Sequence, residues 1–229
     1  FPQKCPSCGS ETIKEFNIVT KKDDAVRRCT SEGYVCEKVA VEKLKHFVSK
    51  EAFNIDGLGK KIIENFWNLK LIKLPQDIFK LDFNKIEKLE GWGRQSIENL
   101  RYSINQKKNI SLDRLIYSLG IRHIGLENAK ILSKYFKSFL QFMTISKKNN
   151  YDELLNIDGI GETQIKSIEN FFNYKENLNI LEELQKVLVV KDAVVVGKNG
   201  LLKNQTFMIT GKLNGISRAE VKSLIEENS

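Results

Sequence analysis

The sequence predicts a mainly α-helical chain, opened by a small cysteine-stapled module and closed by the start of an α/β unit. Three observations lead there. All four cysteines fall within the first 36 residues. A Gly-hydrophobic-Gly turn, with one imperfect copy, returns four times between helical hydrophobic patterns. From about residue 187 the pattern turns β-prone and rich in Val.

Composition narrows the class. The chain has 229 residues, of which 41% are hydrophobic and 29% charged. That is enough apolar side chain to bury a core, and it excludes a disordered tail. With only three prolines, collagen-like and polyproline readings are excluded. No apolar run approaches the roughly 20 residues that span a bilayer, and no N-terminal stretch reads as a signal peptide. The formal charge of +8 is spread as +3 over residues 1–50, +3 over 51–196 and +2 over 197–229. A polyanionic partner is compatible with that spread, but no segment concentrates the charge.

Cys5, Cys8, Cys29 and Cys36 are spaced C-x2-C and C-x6-C across 20 intervening residues. Two thiolates on a knuckle and two returning from a short excursion suit a closed tetrahedral zinc shell. In Cys5-Pro6-Ser7-Cys8-Gly9, Pro6 fixes one turn residue and Gly9 permits the curl that aims amides at sulfur. A module this poor in large apolar residues would draw its folding free energy from one structural Zn2+. Two disulfides or a redox C-x2-C are the other readings. Nothing indicates secretion for the first, and the strand-to-helix context of the second is missing. The x6 gap is wider than usual for zinc.

The turns are Ile55-Asp56-Gly57-Leu58-Gly59, Leu89-Glu90-Gly91-Trp92-Gly93, Arg122-His123-Ile124-Gly125 and Ile157-Asp158-Gly159-Ile160-Gly161. In the third, His123 stands where the others have their first glycine. The second glycines are spaced 34, 32 and 36 residues apart. Amphipathic faces follow each turn: Ile62, Ile63, Phe66 and Trp67; Ile97, Leu100 and Ile104; Ala129, Leu132 and Phe136; Ile165, Ile168 and Phe172. The unit is thus a helix-hairpin-helix. Both glycines are expected to adopt backbone closed to Cβ-bearing residues, and the apolar residue between them to plug the space between helices. The second helix then offers free amides and a positive dipole end to a phosphate, a contact that positions DNA without reading sequence.

The candidate DNA-binding residues are Gly57, Gly59, Lys60, Lys61, Gly91, Gly93, Arg94, Arg122, His123, Gly125, Gly159, Gly161 and Thr163. The fourth turn leads into Glu162-Thr163-Gln164, so it is expected to use amides and Thr163 or to be mostly structural. Trp67 and Trp92 are expected in the core and His46 on a helix, away from any metal. Near the C-terminus, Val187–Val190, Ala193–Val196 and Thr206–Gly211 read as strands. Gly197–Gly200 reads as a turn, and Ser217 with Glu220 as a capping box ahead of Val221, Leu224 and Ile225. Three regions result: residues 1–40 as a four-cysteine zinc finger, 41–190 as a tandem helix-hairpin-helix domain, and 191–229 as a linker and an incomplete α/β domain.

In this order the residues resemble the C-terminal half of bacterial NAD-dependent DNA ligase. Cys5-Pro6-Ser7-Cys8-Gly9 with Cys29 and Cys36 resembles its zinc finger. His46-Phe47-Val48-Ser49, Ala52 and Ile55–Gly59 resemble the join to the first hairpin, and Leu119–Gly125 with Ala129 the third hairpin. Phe207–Leu213 with Ser217-Arg218 resembles the start of its BRCT domain. The family has a shorter gap between the third and fourth Cys, and Cys-Pro-Ala-Gln where this chain has Cys36-Glu37-Lys38-Val39. Its Lys-x-Asp-Gly adenylation motif and OB-fold are absent from these 229 residues. The resemblance implies no catalytic residue here, with NAD and Mg2+ serving only a catalytic domain elsewhere. It implies a monomeric, cytoplasmic, nucleoid-associated part that grips nicked double-stranded DNA in replication and repair, with no membrane partner. Three other readings stand beside it. One is a stand-alone module for DNA structures, which Phe1 in place of Met and the broken last domain disfavour. Another is the DNA-binding part of a different repair enzyme, for which Lys60 or Lys61 would be the glycosylase-like lysine. The third is a zinc-ribbon scaffold whose hairpins only pack.

Overall fold

The computed structural model describes residues 2–17, 21–148, 151–193, 201–202, 205–210, 215–216 and 218–228. Strand β1 (Thr12–Asn17) pairs antiparallel with β2 (Lys22–Cys29), Thr12 opposite Cys29. This two-stranded ribbon is almost without a core, since Ile13, Phe16 and Val26 are all exposed. Its fold must come from the cysteines at its base.

Helices then follow as the periodicities predict. They are α1 (Glu37–Phe47), α2 (Lys60–Asn68), α3 (Phe83–Ile86), α4 (Arg94–Gln106), α5 (Leu112–Ser118), α6 (Leu126–Phe136), α7 (Phe139–Lys148), α8 (Glu162–Asn173) and α9 (Lys175–Val187). The four predicted faces point inward: Ile63, Phe66 and Trp67, then Ile97, Leu100 and Ile104, then Ala129, Leu132 and Phe136, then Ile165, Ile168 and Phe172 are all buried, and Ile62 of the first face is half-buried. They join one contiguous core running from Ala40 to Leu188. The hairpins differ in their first arm. It is a full helix in the third, a single turn (α3) in the second, and a 3-10 turn (Asp152–Asn156) in the fourth.

Side-chain contacts bind distant units. Phe142 of α7 is fully buried, its ring 5.3 Å from Phe136 of α6 and 5.2 Å from Phe172 of α8. Phe142→Ala is expected to cost about 3–5 kcal/mol, read as a lowered denaturation midpoint. Arg114, itself buried, donates to the carbonyls of Lys50 and Ala52, fixing α5 against the entry to the first hairpin. His46 sits on α1 as expected, with Nε2 2.8 Å from the Tyr117 carbonyl and its ring edge-on to Tyr117.

The C-terminal expectations fare unevenly. Val189–Lys191 forms β4, parallel to β3 (Asn109–Ser111), which ties the end of α9 back to the middle of the chain. Val187 instead ends α9. Residues 205–210 form no strand, and Phe207 and Met208 are exposed. Among the described residues no strand lies beside them, and a lone strand leaves its backbone groups unpaired. Helix α10 (Arg218–Glu227) carries Val221, Leu224 and Ile225 as predicted. Its Glu220 pairs with Lys107 at 2.8 Å and accepts from Asn54. Val194–Val196, Gly197–Gly200, Gly211 and Ser217 lie outside the described residues.

Candidate metal centre and nucleic-acid interface

The knuckle is built by backbone geometry. Gly9, at φ +75°, lets its amide donate back to the Cys5 carbonyl at 2.9 Å, while the Cys5 amide donates to the Ser10 carbonyl. Cys29 ends β2, and Cys36 is the N-cap of α1. The wide x6 gap thus has a physical reason. The fourth thiol comes from a helix start and not from a second knuckle.

All four Sγ atoms lie within 4.8 Å of one another. Cys5 and Cys36 are 3.9 Å apart and Cys8 and Cys29 3.5 Å. Four sulfurs at the usual zinc–thiolate distance stand about 3.8 Å apart along each tetrahedral edge, so these two opposite edges fit zinc. They are far too long for a disulfide bond, and all four thiols are free. Hydrogen bonds from the side chain and amide of Ser10 lower the Cys8 thiol to about 6, whereas desolvation pushes Cys29 up to about 12. The Ser31 amide points at the Cys29 sulfur from 3.4 Å, as a second-sphere donor to a metal thiolate would.

The hairpins separate the work of their two glycines. Gly57, Gly91 and Gly159 lie at φ +89°, +83° and +85°, the left-handed region, and His123 matches them at φ +59°. His123 therefore takes the glycine role at some strain, with its carbonyl accepting from Asn128. The second glycines correct the expectation made for both. Gly59, Gly93, Gly125 and Gly161 are helix N-caps with extended backbone that any residue adopts. A Cβ on Gly59, Gly93 or Gly125 would meet nothing within 4 Å. Neither the backbone nor the packing of this chain requires glycine there.

Leu58, Ile124 and Ile160 are the buried plugs, and Trp92 is half-buried with its ring 5.5 Å from Phe66. Each plug spends its own amide on the carbonyl three residues back. At the first three hairpins no side chain caps the helix that follows, so its leading amides face outward. The fourth hairpin differs, because Gln164 Oε1 accepts from the Gly161 amide at 3.2 Å. Lys60, Lys61 and Arg94 are exposed beside the first two caps, and Thr163 beside the fourth. Between the first two hairpins runs a cleft of about 570 Å³ lined by Gly57, Gly91, Trp92, Asn65 and Asn99.

One contact had no sequence signal. Arg122 pairs with Glu15 of β1 and, at 3.6 Å, with Asp24 of β2, and His123 Nε2 lies 4.0 Å from Glu15. Nothing periodic connects those positions.

A helix-hairpin-helix family model matches residues 114–181, the third and fourth hairpins. Curated relatives cover the rest. A DNA ligase of Pelagibacter ubique is 66% identical over the whole chain, and those of Parvibaculum lavamentivorans and Azorhizobium caulinodans are 40% and 36% identical over 99% of it. The chain spans about a third of the length of each, 34%, 34% and 35%.

Proposed function

From a likeness to DNA ligases that runs the full length of the chain, we propose that these residues are the duplex-holding part of an NAD-dependent DNA ligase that seals nicks in replication and repair. The observation that carries the reading is the triplet of glycine-led, uncapped helix starts at Gly59, Gly93 and Gly125. Glycine without an internal need suits close approach by an outside backbone. Outward amides at a helix start suit a phosphate.

The roles divide by residue. Gly57, Gly91 and Gly159 shape the turns, as His123 does in the third. Gly59, Gly93 and Gly125 admit phosphates to the amides, and Lys60, Lys61 and Arg94 add charge beside them. Gly161 and Thr163 belong to the self-capped fourth hairpin, which packs more than it binds. Arg122 stands at the third site. One structural Zn2+ on Cys5, Cys8, Cys29 and Cys36 holds the finger. Residues 1–40, 41–190 and 191–229 are the finger, the hairpin domain and a linker with the start of a BRCT-like domain.

By the resemblance, NAD and Mg2+ act on a catalytic domain carrying Lys-x-Asp-Gly. This chain's own work is to position nicked double-stranded DNA as a monomer, in the cytoplasm at the nucleoid. No described helix is long and apolar enough to cross a membrane.

The test is binding of labelled nicked and intact duplexes of unrelated sequence at several salt concentrations. Log affinity is expected to fall linearly with log salt, with a slope of about −0.9 per phosphate engaged. Sequence should have little effect on it. Absent or salt-insensitive binding on both duplexes would favour the zinc-ribbon scaffold instead.

A further inference from the structure

The third hairpin departs from the others at two adjacent positions. Where the first, second and fourth have Asp56-Gly57, Glu90-Gly91 and Asp158-Gly159, the third has Arg122-His123. Three hairpins therefore place a carboxylate just ahead of the turn and one places a guanidinium. The third hairpin also touches the ribbon of the finger. Glu15 and Asp24, from opposite strands of the ribbon, converge on the Arg122 guanidinium. Asp24 is shared with Arg28 at 3.5 Å, and Arg122 Nε also donates to His123 Nε2 at 3.1 Å.

Two carboxylates on one guanidinium nitrogen, Nη2, present to it the same kind of group as a phosphodiester, anionic oxygens that accept charge-assisted hydrogen bonds. We propose that the Glu15–Asp24 pair of the finger is an internal stand-in for a DNA phosphate, held on the third hairpin when no duplex is bound and displaced when one binds. The inference rests on the reading of the hairpins as phosphate sites and adds a regulator to it. Both partners are built for exchange. Arg122, Glu15 and Asp24 side chains are 38%, 32% and 33% exposed, so solvent and a phosphate reach the pair from outside.

Exposed pairs of this kind are weak, which suits a strap that DNA must open. The strap also links the metal to the interface. Glu15 and Asp24 stand on the two strands that run from the knuckle at Cys8 to Cys29, so the cysteine cluster sets where the acids sit. The finger is held independently at its other side, where the Tyr34 amide donates to Glu176 of α9 at 3.3 Å. Releasing the acids therefore leaves the finger attached.

The experiment compares the full chain, zinc-loaded, with Glu15→Gln/Asp24→Asn, with Arg122→Ala, with the triple variant, and with Glu11→Gln/Asp23→Asn. The last removes the same charge from exposed ribbon positions. Zinc content and melting temperature check that each variant is folded, and a labelled nicked duplex is titrated at low and moderate salt. The acid variant is expected to bind roughly two- to fivefold tighter and to show a salt slope steeper by about 0.9, one more phosphate engaged. Arg122→Ala should remove the whole gain in the acid variant, so that the triple variant binds no tighter than Arg122→Ala alone, a non-additive pair. Any gain in the charge control should persist without Arg122. An acid variant that is folded and binds no tighter than wild type overturns the inference alone. So does Arg122→Ala weakening wild type as much as it weakens the acid variant, for Arg122 would then already be on DNA. Failure of every variant, wild type included, to bind duplex overturns the hairpin reading and the inference with it.

Discussion

Chelating the metal, or replacing Cys36 with Ser, is expected to unfold the finger while the helical domain stays folded. The ribbon has Ile13, Phe16 and Val26 in solvent. Structural zinc supplies about 10–16 kcal/mol in such peptides at neutral pH, far more than two short strands supply alone. The helical domain has its own core from Ala40 to Leu188. Far-UV circular dichroism should therefore keep its helical signal, while proteolysis cuts within residues 9–36. Metal affinity should also fall as pH drops. Zinc takes thiolates, so each bound metal displaces protons, one of them from Cys29, whose thiol is pushed up to about 12. Cys8, held near 6 by Ser10, releases little proton at pH 7 and begins to compete for protons only in mild acid. One zinc per chain, released by acid and restored at neutral pH, is the expected measurement. Retention of finger structure without metal would contradict it.

Much of this was legible in the sequence, because it was written in spacing. Four glycine turns with hydrophobic faces after them predicted α2, α4, α6 and α8, and the four faces are buried. The clustered cysteines predicted the four-sulfur group. What spacing did not carry were side-chain meetings between distant surface residues. Glu15 and Arg122 are 107 positions apart, and charged surface positions have no period. Nor could spacing tell the two glycines of a turn apart. Gly57 and Gly59 look alike in sequence, yet one sits at φ +89° and the other in extended backbone. The stretch 205–210 reads as a strand by composition, but a strand also needs a neighbour, and none of the described residues provides it.

That difference between the two glycines yields the sharpest separation of fold from function. Gly57→Val should destabilise the chain, because left-handed backbone costs a β-branched residue about 1–3 kcal/mol and its Cβ would come to 3.2 Å from Leu100 Cδ1. Gly59→Val and Gly93→Val should cost only about 1 kcal/mol each, the price of a poorer N-cap, since backbone and space both admit a side chain there. Their effect falls on the ligand. A valine at the cap stands over the leading amides, and a charge-assisted hydrogen bond to one of them contributes about 1.5–3 kcal/mol. The double variant is expected to lose about 100- to 10,000-fold in duplex affinity while thermal melting shifts by only a few degrees. Gly161→Val is the counterweight, because its amide is already taken by Gln164, and its duplex affinity should change by less than about twofold. If Gly59→Val and Gly161→Val weakened binding equally, the outward amides of the first hairpin would not be where the phosphate sits. If Gly59→Val unfolded the chain as Gly57→Val does, glycine at the cap would be explained by packing and its argument for a ligand would be gone.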